Sequence, residues 1–236
     1  MSLAPDKRTL HQGALSDLRR RMHSIKRPGE TLGPGGFLAT GIPSLDRALG
    51  GGVARGKITE FVGQGSSGRT ALAVSLAARA SWGLSNDSDR ETDGLVAWLD
   101  TGDCLDVAGL QAAGTCMSHV LWLKGADAQV TKKALKATDV LLDSKSFSLI
   151  VLDFIALAPH RLPQQSSWWM RITRKLQLSE SALLVLSRKP LVFQPACRVD
   201  FSLKRPLSEP LSFSVTHRGC GEVHSLSPVQ LRRAHG

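Results

Sequence analysis

The clearest pattern along the chain is an alternation of short apolar runs with longer segments of helical periodicity. The apolar runs carry hydrophobic side chains at consecutive positions, which is typical of strands buried on both faces. The predicted strands are residues 57–62, 95–100, 119–123, 147–154 and 182–186, and the predicted helices are residues 70–82, 107–113, 130–142 and 168–178. This order predicts an α/β fold with a mostly parallel sheet that helices cover on both faces.

The pattern changes after Pro190, where strand-like segments follow one another without helices between them. These segments cover residues 198–203, 211–216 and 222–225, and turn-forming residues separate them. Consecutive strands joined by turns favour antiparallel pairing. We therefore expect antiparallel strands to be added at the C-terminal end of the sheet.

The N-terminal region has the pattern of an amphipathic helix that precedes the sheet. Its apolar side chains recur at steps of three and four residues, and Arg19 lies among the basic residues of the opposite face. The apolar positions are Leu15, Leu18, Met22 and Ile25. The proline and glycine residues of segment 28–36 predict the end of this helix and a linker.

The charge of the chain is concentrated at its two ends. The 236 residues carry a formal net charge of +10. Residues 1–30 contain seven basic and three acidic side chains, and residues 188–236 contain eight and three, whereas the segment between them carries fifteen and fourteen. A solvated basic tail and a tail that binds an acidic partner both fit Arg232 and Arg233. The two ends are thus candidate attachment regions.

Composition also excludes some classes of protein. The longest nearly uncharged apolar stretch, residues 149–159, is about half the ~20 residues that span a bilayer, so we expect no membrane segment. The four cysteines are widely spaced without a C-x-x-C pair, which argues against a zinc site or a disulfide framework. We expect them to be reduced and mostly buried.

A glycine-rich segment between the first long strand and the first long helix predicts a phosphate-binding loop. Residues 63–70 read GQGSSGRT, which matches G-x-x-x-x-G-K-[ST] except for Arg69 in place of lysine. Glycines permit torsions that turn successive N–H groups inward, and the helix N-terminus adds positive charge. The predicted phosphate ligands are Gly63, Gly65, Ser66, Ser67, Gly68, Arg69 and Thr70. The alternative is a glycine-rich turn without a ligand.

A second element fits a nucleotide site. The buried strand 147–154 contains Asp153 close to its carboxyl end, where nucleotide-binding folds hold Mg²⁺ through a carboxylate. Thr70 would offer its hydroxyl to the same ion. The alternative for Asp153 is a structural one, in which its carboxylate caps the turn that follows the strand.

Several motifs together resemble the core of RecA-type recombinases. The resemblance runs from about residue 37 to 205 and rests on segment 40–46 (TGIPSLD), segment 49–52 (LGGG), segment 55–60 (RGKITE) and the phosphate loop. Within that group the chain looks most like the ImuA proteins, RecA-like accessory proteins encoded with an ImuB-type polymerase homologue in mutagenesis cassettes. The features that suggest ImuA are the basic N-terminal helix, segment 174–188 and segment 216–224.

The resemblance implies a RecA-like P-loop core that uses ATP and Mg²⁺, and it also exposes departures from the family. In the recombinases a glutamate after the second long strand activates the attacking water, and the equivalent position here is Gly102. The adjacent Asp103 is the one candidate base, with a shorter reach and a shifted position. A glutamine that senses the γ-phosphate is replaced by Arg188, and the DNA-binding loop of residues 188–198 is short.

Three functions remain open from the sequence. The preferred one is a RecA-like adaptor of SOS-induced translesion synthesis, with low affinity for ATP and weak or absent hydrolysis. It would bind an ImuB-like polymerase homologue and RecA, and self-associate through the N-terminal helix. The alternatives are a DNA-stimulated ATPase that uses Asp103 and Arg69, and a basic DNA-binding module without nucleotide.

The predicted organisation has three parts. Residues 1–36 form the basic helix and linker, residues 37–205 the nucleotide-binding core, and residues 206–236 the edge strands and basic tail. The resemblance implies a cytoplasmic, nucleoid-associated protein that binds DNA weakly.

Overall fold

A computed structural model describes residues 36–83, 94–125, 127–163, 166–201, 213–217 and 220–225 of the chain. The strands within these ranges are β1 (Phe37–Leu38), β2 (Val53–Ala54), β3 (Ile58–Gly63), β4 (Leu95–Asp100), β5 (Val120–Lys124), β6 (Phe147–Asp153), β7 (Ala182–Ser187), β8 (Cys197–Phe201), β9 (Phe213–His217) and β10 (Cys220–Ser225). The α-helices are α1 (Pro43–Ala48), α2 (Arg69–Ser81), α3 (Val107–Ala112), α4 (Val130–Ser144) and α5 (Ser166–Gln177). Single 3₁₀ turns lie at Met117–His119 and Pro159–Arg161.

The long strands form one sheet in the order β10, β9, β8, β3, β7, β6, β4, β5. The six strands from β8 to β5 in this order are parallel, and β9 pairs antiparallel with both β8 and β10. The predicted α/β fold is therefore confirmed, including the antiparallel strands at the C-terminal end. All residues of β3, β4 and β7 are buried, as their largely apolar patterns predict.

The helices begin and end close to the predicted positions. The helix predicted at 70–82 is α2, which Gly68 precedes in a left-handed conformation (φ 88°). Helix α4 ends at Ser144, and Lys145, which follows it, adopts a left-handed conformation. Three ion pairs between described side chains join α4 to α5: Arg171 pairs with Asp139 at 2.6 Å, and Lys175 pairs with Asp143 at 2.9 Å and with Asp139 at 3.3 Å.

Three short elements at the start of the core are not part of the sequence prediction. The two-residue strands β1 and β2 pair with each other, and α1 lies between them. Gly52 makes the tight return possible because its φ is +129° and a Cβ there would lie 2.4 Å from the carbonyl oxygen of Leu38. The carboxylate of Asp46 accepts hydrogen bonds of 2.7 Å from the backbone N–H and the hydroxyl of Thr40. Segments this short contain too few apolar positions to show a strand or helix pattern, so the sequence does not predict these elements.

Two expectations about burial are wrong. The pattern at the start of α5 suggests one core and one surface tryptophan, but Trp168 and Trp169 are 7% and 1% exposed. Their rings pack edge to face with centroids 4.7 Å apart, so each covers the other. Among the cysteines with described side chains only Cys197 is buried, because Cys104 and Cys116 lie in turns outside the sheet.

Some predictions fall outside the described residues. They concern the N-terminal helix with Leu15, Leu18, Arg19, Met22 and Ile25, its linker, and the tail with Arg232 and Arg233. These predictions and the three-part organisation stay predictions. In the described part of the chain no helix is long and apolar enough to cross a membrane.

Candidate functional site

The predicted phosphate loop connects β3 to α2 and closes around a buried serine. Gly63 is needed for space, since a Cβ there would lie 2.6 Å from Ser67 Oγ and 3.0 Å from Phe201 Cβ. The positive φ angles fall on Gly68 (88°) and on Ser66 (58°). The sequence favours Gly65 for such a torsion, but the left-handed turn lies one residue later. The loop therefore has the tight turns that a nest of N–H groups requires.

A cleft of about 280 Å³ lies over this loop and the first turn of α2. Its lining comprises Gln64, Ser66, Ser67, Gly68, Arg69, Thr70 and Ala71. Five of the seven predicted phosphate ligands therefore line one cleft, whereas Gly63 and Gly65 do not. Gln64 and Ala71 were missed because the motif leaves their identity open.

Two polar groups in the cleft are buried without a hydrogen-bond partner. They are Ser67 Oγ and Arg69 Nε, and their residues are 4% and 3% exposed. A buried donor without a partner costs about 1–3 kcal/mol, so such groups are uncommon in folded proteins. Together with the N-terminus of a 13-residue helix, they fit a phosphate group.

Arg69 is held against the loop itself. Its Nη1 donates a 2.8 Å hydrogen bond to the carbonyl oxygen of Gln64. Burial lowers the pKa of the guanidinium, the carboxylate of Asp153 opposes this shift, and the positive charge of Arg188 adds to it. Both Asp153 and Arg188 therefore lie within electrostatic range of Arg69 at the carboxyl edge of the sheet.

Asp153 has the structural role that the sequence left open as an alternative. Its Oδ1 accepts a 3.0 Å hydrogen bond from the N–H of Ile155, which caps the turn after β6. Burial raises the pKa of this carboxyl to about 6, and the nearby Asp100 adds to the rise, while the Ile155 N–H and Arg69 oppose it. Asp153 does not line the cleft, in contrast to Thr70. The residues present thus fit phosphate, and the role of Thr70 and Asp153 as a pair of Mg²⁺ ligands stays a prediction.

The turn after β4 is closed where the resemblance implies the water-activating glutamate. A Cβ on Gly102 would lie 2.2 Å from Cβ of Ala156 and 3.3 Å from Sγ of Cys104. Asp100 fixes the turn because its two carboxylate oxygens accept hydrogen bonds from the N–H groups of Gly102 (3.1 Å) and Leu105 (2.8 Å). A glutamate side chain therefore does not fit at position 102 unless the chain around Ala156 moves.

Asp103, the candidate base, lies on the surface beside this turn. Its φ is +51°, and its carboxylate pairs with Lys124 at the end of the edge strand β5, with Nζ and Oδ1 3.2 Å apart. It does not line the cleft. Its role as a base stays a prediction.

A buried carboxylate that sequence reasoning missed holds the loop after β7. Glu60 on β3 is fully buried, and its Oε1 accepts hydrogen bonds from the N–H of Leu191 (2.7 Å), the N–H of Val192 (3.2 Å) and the hydroxyl of Ser187 (3.1 Å). Its Oε2 accepts a 2.8 Å hydrogen bond from Arg198 Nε. The signal in the sequence is a single acidic residue inside an otherwise uncharged buried strand.

This network fixes the chain that follows Arg188. Ser187 is paired with Val62 in the parallel register of β7 and β3, so Arg188 lies beside Gly63 at the start of the phosphate loop. Arg198 also donates from Nη2 to the carbonyl oxygen of Val192 at 3.1 Å. The short loop 188–196 is therefore tied to the strand that leads into the cleft.

Comparison with known proteins agrees with this arrangement. The family model described as RecA N-terminal domain matches residues 34–164. Proteins named Protein RecA from Syntrophobacter fumaroxidans, Desulfotalea psychrophila and Saccharopolyspora erythraea are 35%, 31% and 32% identical to the chain. The matches cover 50%, 65% and 66% of this chain but only 32%, 41% and 43% of those proteins. The chain thus matches less than half the length of these curated relatives.

Proposed function

Because the chain belongs to the RecA family, we propose that it acts in DNA repair as a RecA-like adaptor that binds nucleotide and hydrolyses it weakly or not at all. The ImuA-like motifs make the proposal more specific. Its partners are an ImuB-like polymerase homologue and RecA, and its process is SOS-induced translesion synthesis. In this proposal the protein is cytoplasmic and nucleoid-associated, and it binds DNA weakly.

One observation carries the proposal: the cleft over the predicted phosphate loop is present, while the turn at Gly102 is closed. Ser67 Oγ and Arg69 Nε are unpaired donors in the cleft, which supports binding of a phosphate. Gly102 has no side chain to activate water, and the approach of Ala156 leaves no room for one. A RecA-like core with these two features is suited to bind nucleotide without hydrolysing it.

The alternatives have less support. A DNA-stimulated ATPase would need Asp103 to activate water, yet its carboxylate is paired with Lys124 and lies outside the cleft. A RecA-like grip on DNA would use the loop after β7, which is short here and fixed by Glu60. We therefore favour protein partners over DNA as the main ligands.

A binding experiment with the full chain tests the adaptor proposal. Purified tagged protein is incubated separately with a purified ImuB-like protein and with purified RecA, and retained protein is quantified. We expect retention of the ImuB-like protein, and a weakening of at least about tenfold in a Leu18→Asp/Met22→Asp double variant, because burying one such side chain contributes about 1.5–3 kcal/mol.

The matched control is Leu178→Asp, which places the same charge on an apolar residue that is 76% exposed in the described core. This variant should bind as the wild type does. If the unmodified chain retains neither the ImuB-like protein nor RecA, the adaptor proposal is refuted. Equal weakening by all the charged variants would refute the assignment to the N-terminal helix.

A further inference from the structure

Arg69 is a buried cation with few protein partners. The residue is 3% exposed and begins helix α2. Among the described residues its guanidinium forms no ion pair, and it donates one hydrogen bond, from Nη1 to the carbonyl oxygen of Gln64. A guanidinium carries several N–H donors, and buried charges in proteins are normally paired. The side chain therefore has the free donors and the unpaired charge of an anion-binding group.

The surrounding protein does not compensate this charge. Burial is the largest influence on the pKa of the Arg69 guanidinium and lowers it. The carboxylate of Asp153 opposes the shift, the positive charge of Arg188 adds to it, and the pKa stays below its ordinary value. A negative ligand in the cleft would stabilise the charged form that burial disfavours.

Arg69 lies in the cleft over the phosphate loop together with other donors. Ser67 lines the same cleft, and its buried Oγ has no hydrogen-bond partner. Helix α2 adds its N-terminus, where Gly68 provides no side-chain cap and the first turn contains no acidic residue. A guanidinium, a hydroxyl and helix N–H groups thus surround one space of about 280 Å³, which suits phosphate oxygens.

The hydrogen bond to Gln64 determines how the guanidinium meets a ligand. It uses Nη1 and holds the planar group against the loop, while Nε is among the donors that remain. A guanidinium can bind two oxygens of one phosphate through parallel N–H groups, and a side chain that is fixed beforehand loses little entropy. A lysine has one charged nitrogen on a flexible stem and no donor at the Nε position. Arginine at position 69 is therefore not equivalent to the lysine of the motif.

We infer that Arg69 is the group that selects the ligand of the cleft: anchored on Gln64, it binds two oxygens of one phosphate, and a lysine at position 69 binds that phosphate less tightly. The ligand class is a polyphosphate, whose other oxygens accept from the loop and the N-terminus of α2. This inference rests on the proposed function and deepens it, because it identifies the group that recognises the nucleotide. Restoring the lysine of the motif should impair the site.

The first test is calorimetric titration of the full chain with ATP and with inorganic triphosphate, in one Mg²⁺-containing buffer free of phosphate and sulfate. Arg69→Lys should raise both dissociation constants at least about tenfold, the effect of losing one hydrogen bond to a charged group. The matched control is Arg174→Lys, the same exchange at an exposed arginine of α5 outside the cleft lining. It should leave both constants unchanged.

Thermal unfolding separates ligand binding from a merely structural role of Arg69. Arg69→Met removes the buried charge and keeps an apolar side chain in its place. Without triphosphate this variant should melt above the wild type, because an unpaired buried charge destabilises the fold. Triphosphate at about a hundredfold excess over its dissociation constant should raise the melting temperature of the wild type by about 5–10 °C. The variant should gain less than half as much.

The outcomes separate this inference from the function on which it rests. If the wild type binds ATP and Arg69→Lys binds it as tightly or more tightly, the inference fails and nucleotide binding stands. Equal weakening by Arg69→Lys and Arg174→Lys would also overturn it, as would an Arg69→Met variant that melts below the wild type without triphosphate. If the wild type binds neither ATP nor triphosphate, the inference fails together with the nucleotide part of the proposed function.

Discussion

Replacing Glu60 with alanine is expected to lower the free energy of unfolding by about 3–5 kcal/mol, the cost of breaking an ion pair whose carboxylate is fully buried. The carboxylate is fully buried, and four groups donate hydrogen bonds to it. Its removal leaves Arg198 and the N–H groups of Leu191 and Val192 without their acceptor. Urea denaturation of wild type and variant, followed by far-UV circular dichroism, measures the difference.

Two comparisons make this prediction specific. Asp143→Ala removes one of the two carboxylates that pair with Lys175 on the surface and should cost no more than about 1 kcal/mol. Glu60→Leu/Arg198→Leu removes both charges of the pair and should be more stable than Glu60→Ala. A loss below about 1 kcal/mol for Glu60→Ala would show that this network does not hold the loop after β7.

Placing a glutamate at position 102 is expected to destabilise the protein without creating an ATPase. In the Gly102→Glu variant the new Cβ would lie 2.2 Å from Cβ of Ala156, so the turn or the segment after β6 must shift. Overpacking of this kind typically costs about 1–3 kcal/mol. Thermal unfolding and phosphate release from ATP should be measured on the same preparation.

The control for this variant removes the methyl group that blocks the position. Gly102→Glu/Ala156→Gly relieves the closest contact and should recover part of the lost stability. A Gly102→Glu variant as stable as the wild type would contradict the closed turn. We expect that a glutamate at position 102 alone does not restore hydrolysis. Phosphate release by Gly102→Glu well above the wild-type rate would contradict this expectation.

The regular part of the fold could be predicted from the sequence because it depends on local patterns. Strand β6 has four consecutive apolar residues at its centre, and α4 has apolar residues at helical spacing, so each is recognisable from a short stretch of sequence. The phosphate loop was also predictable, since its glycines and its position between a strand and a helix form one contiguous motif.

The parts that could not be predicted depend on residues far apart in the chain. Glu60 meets Leu191, Val192 and Arg198 only after β7 and β8 pair with β3. The closure of Gly102 depends on Ala156, which follows the neighbouring strand. Sequence alone could name Glu60 as an unusual residue in a buried strand, but not its partners.

Local chemistry also left two choices that only the packed structure decides. Asp153 suits both a metal site and a turn cap; its hydrogen bond to Ile155 shows the cap, and the metal role stays a prediction. The left-handed torsion in the loop falls on Ser66 although Gly65 adopts it more readily.

The most direct test of the central claim measures binding and hydrolysis of one nucleotide in one sample. ATP labelled on its terminal phosphate is titrated with the full chain, with and without single-stranded DNA, and bound nucleotide and released phosphate are both quantified. Because the cleft is present and the turn at Gly102 is closed, we expect saturable binding of ATP. We also expect no more phosphate release than from ATP incubated without protein. Absence of binding, or sustained phosphate release that DNA stimulates, would contradict it.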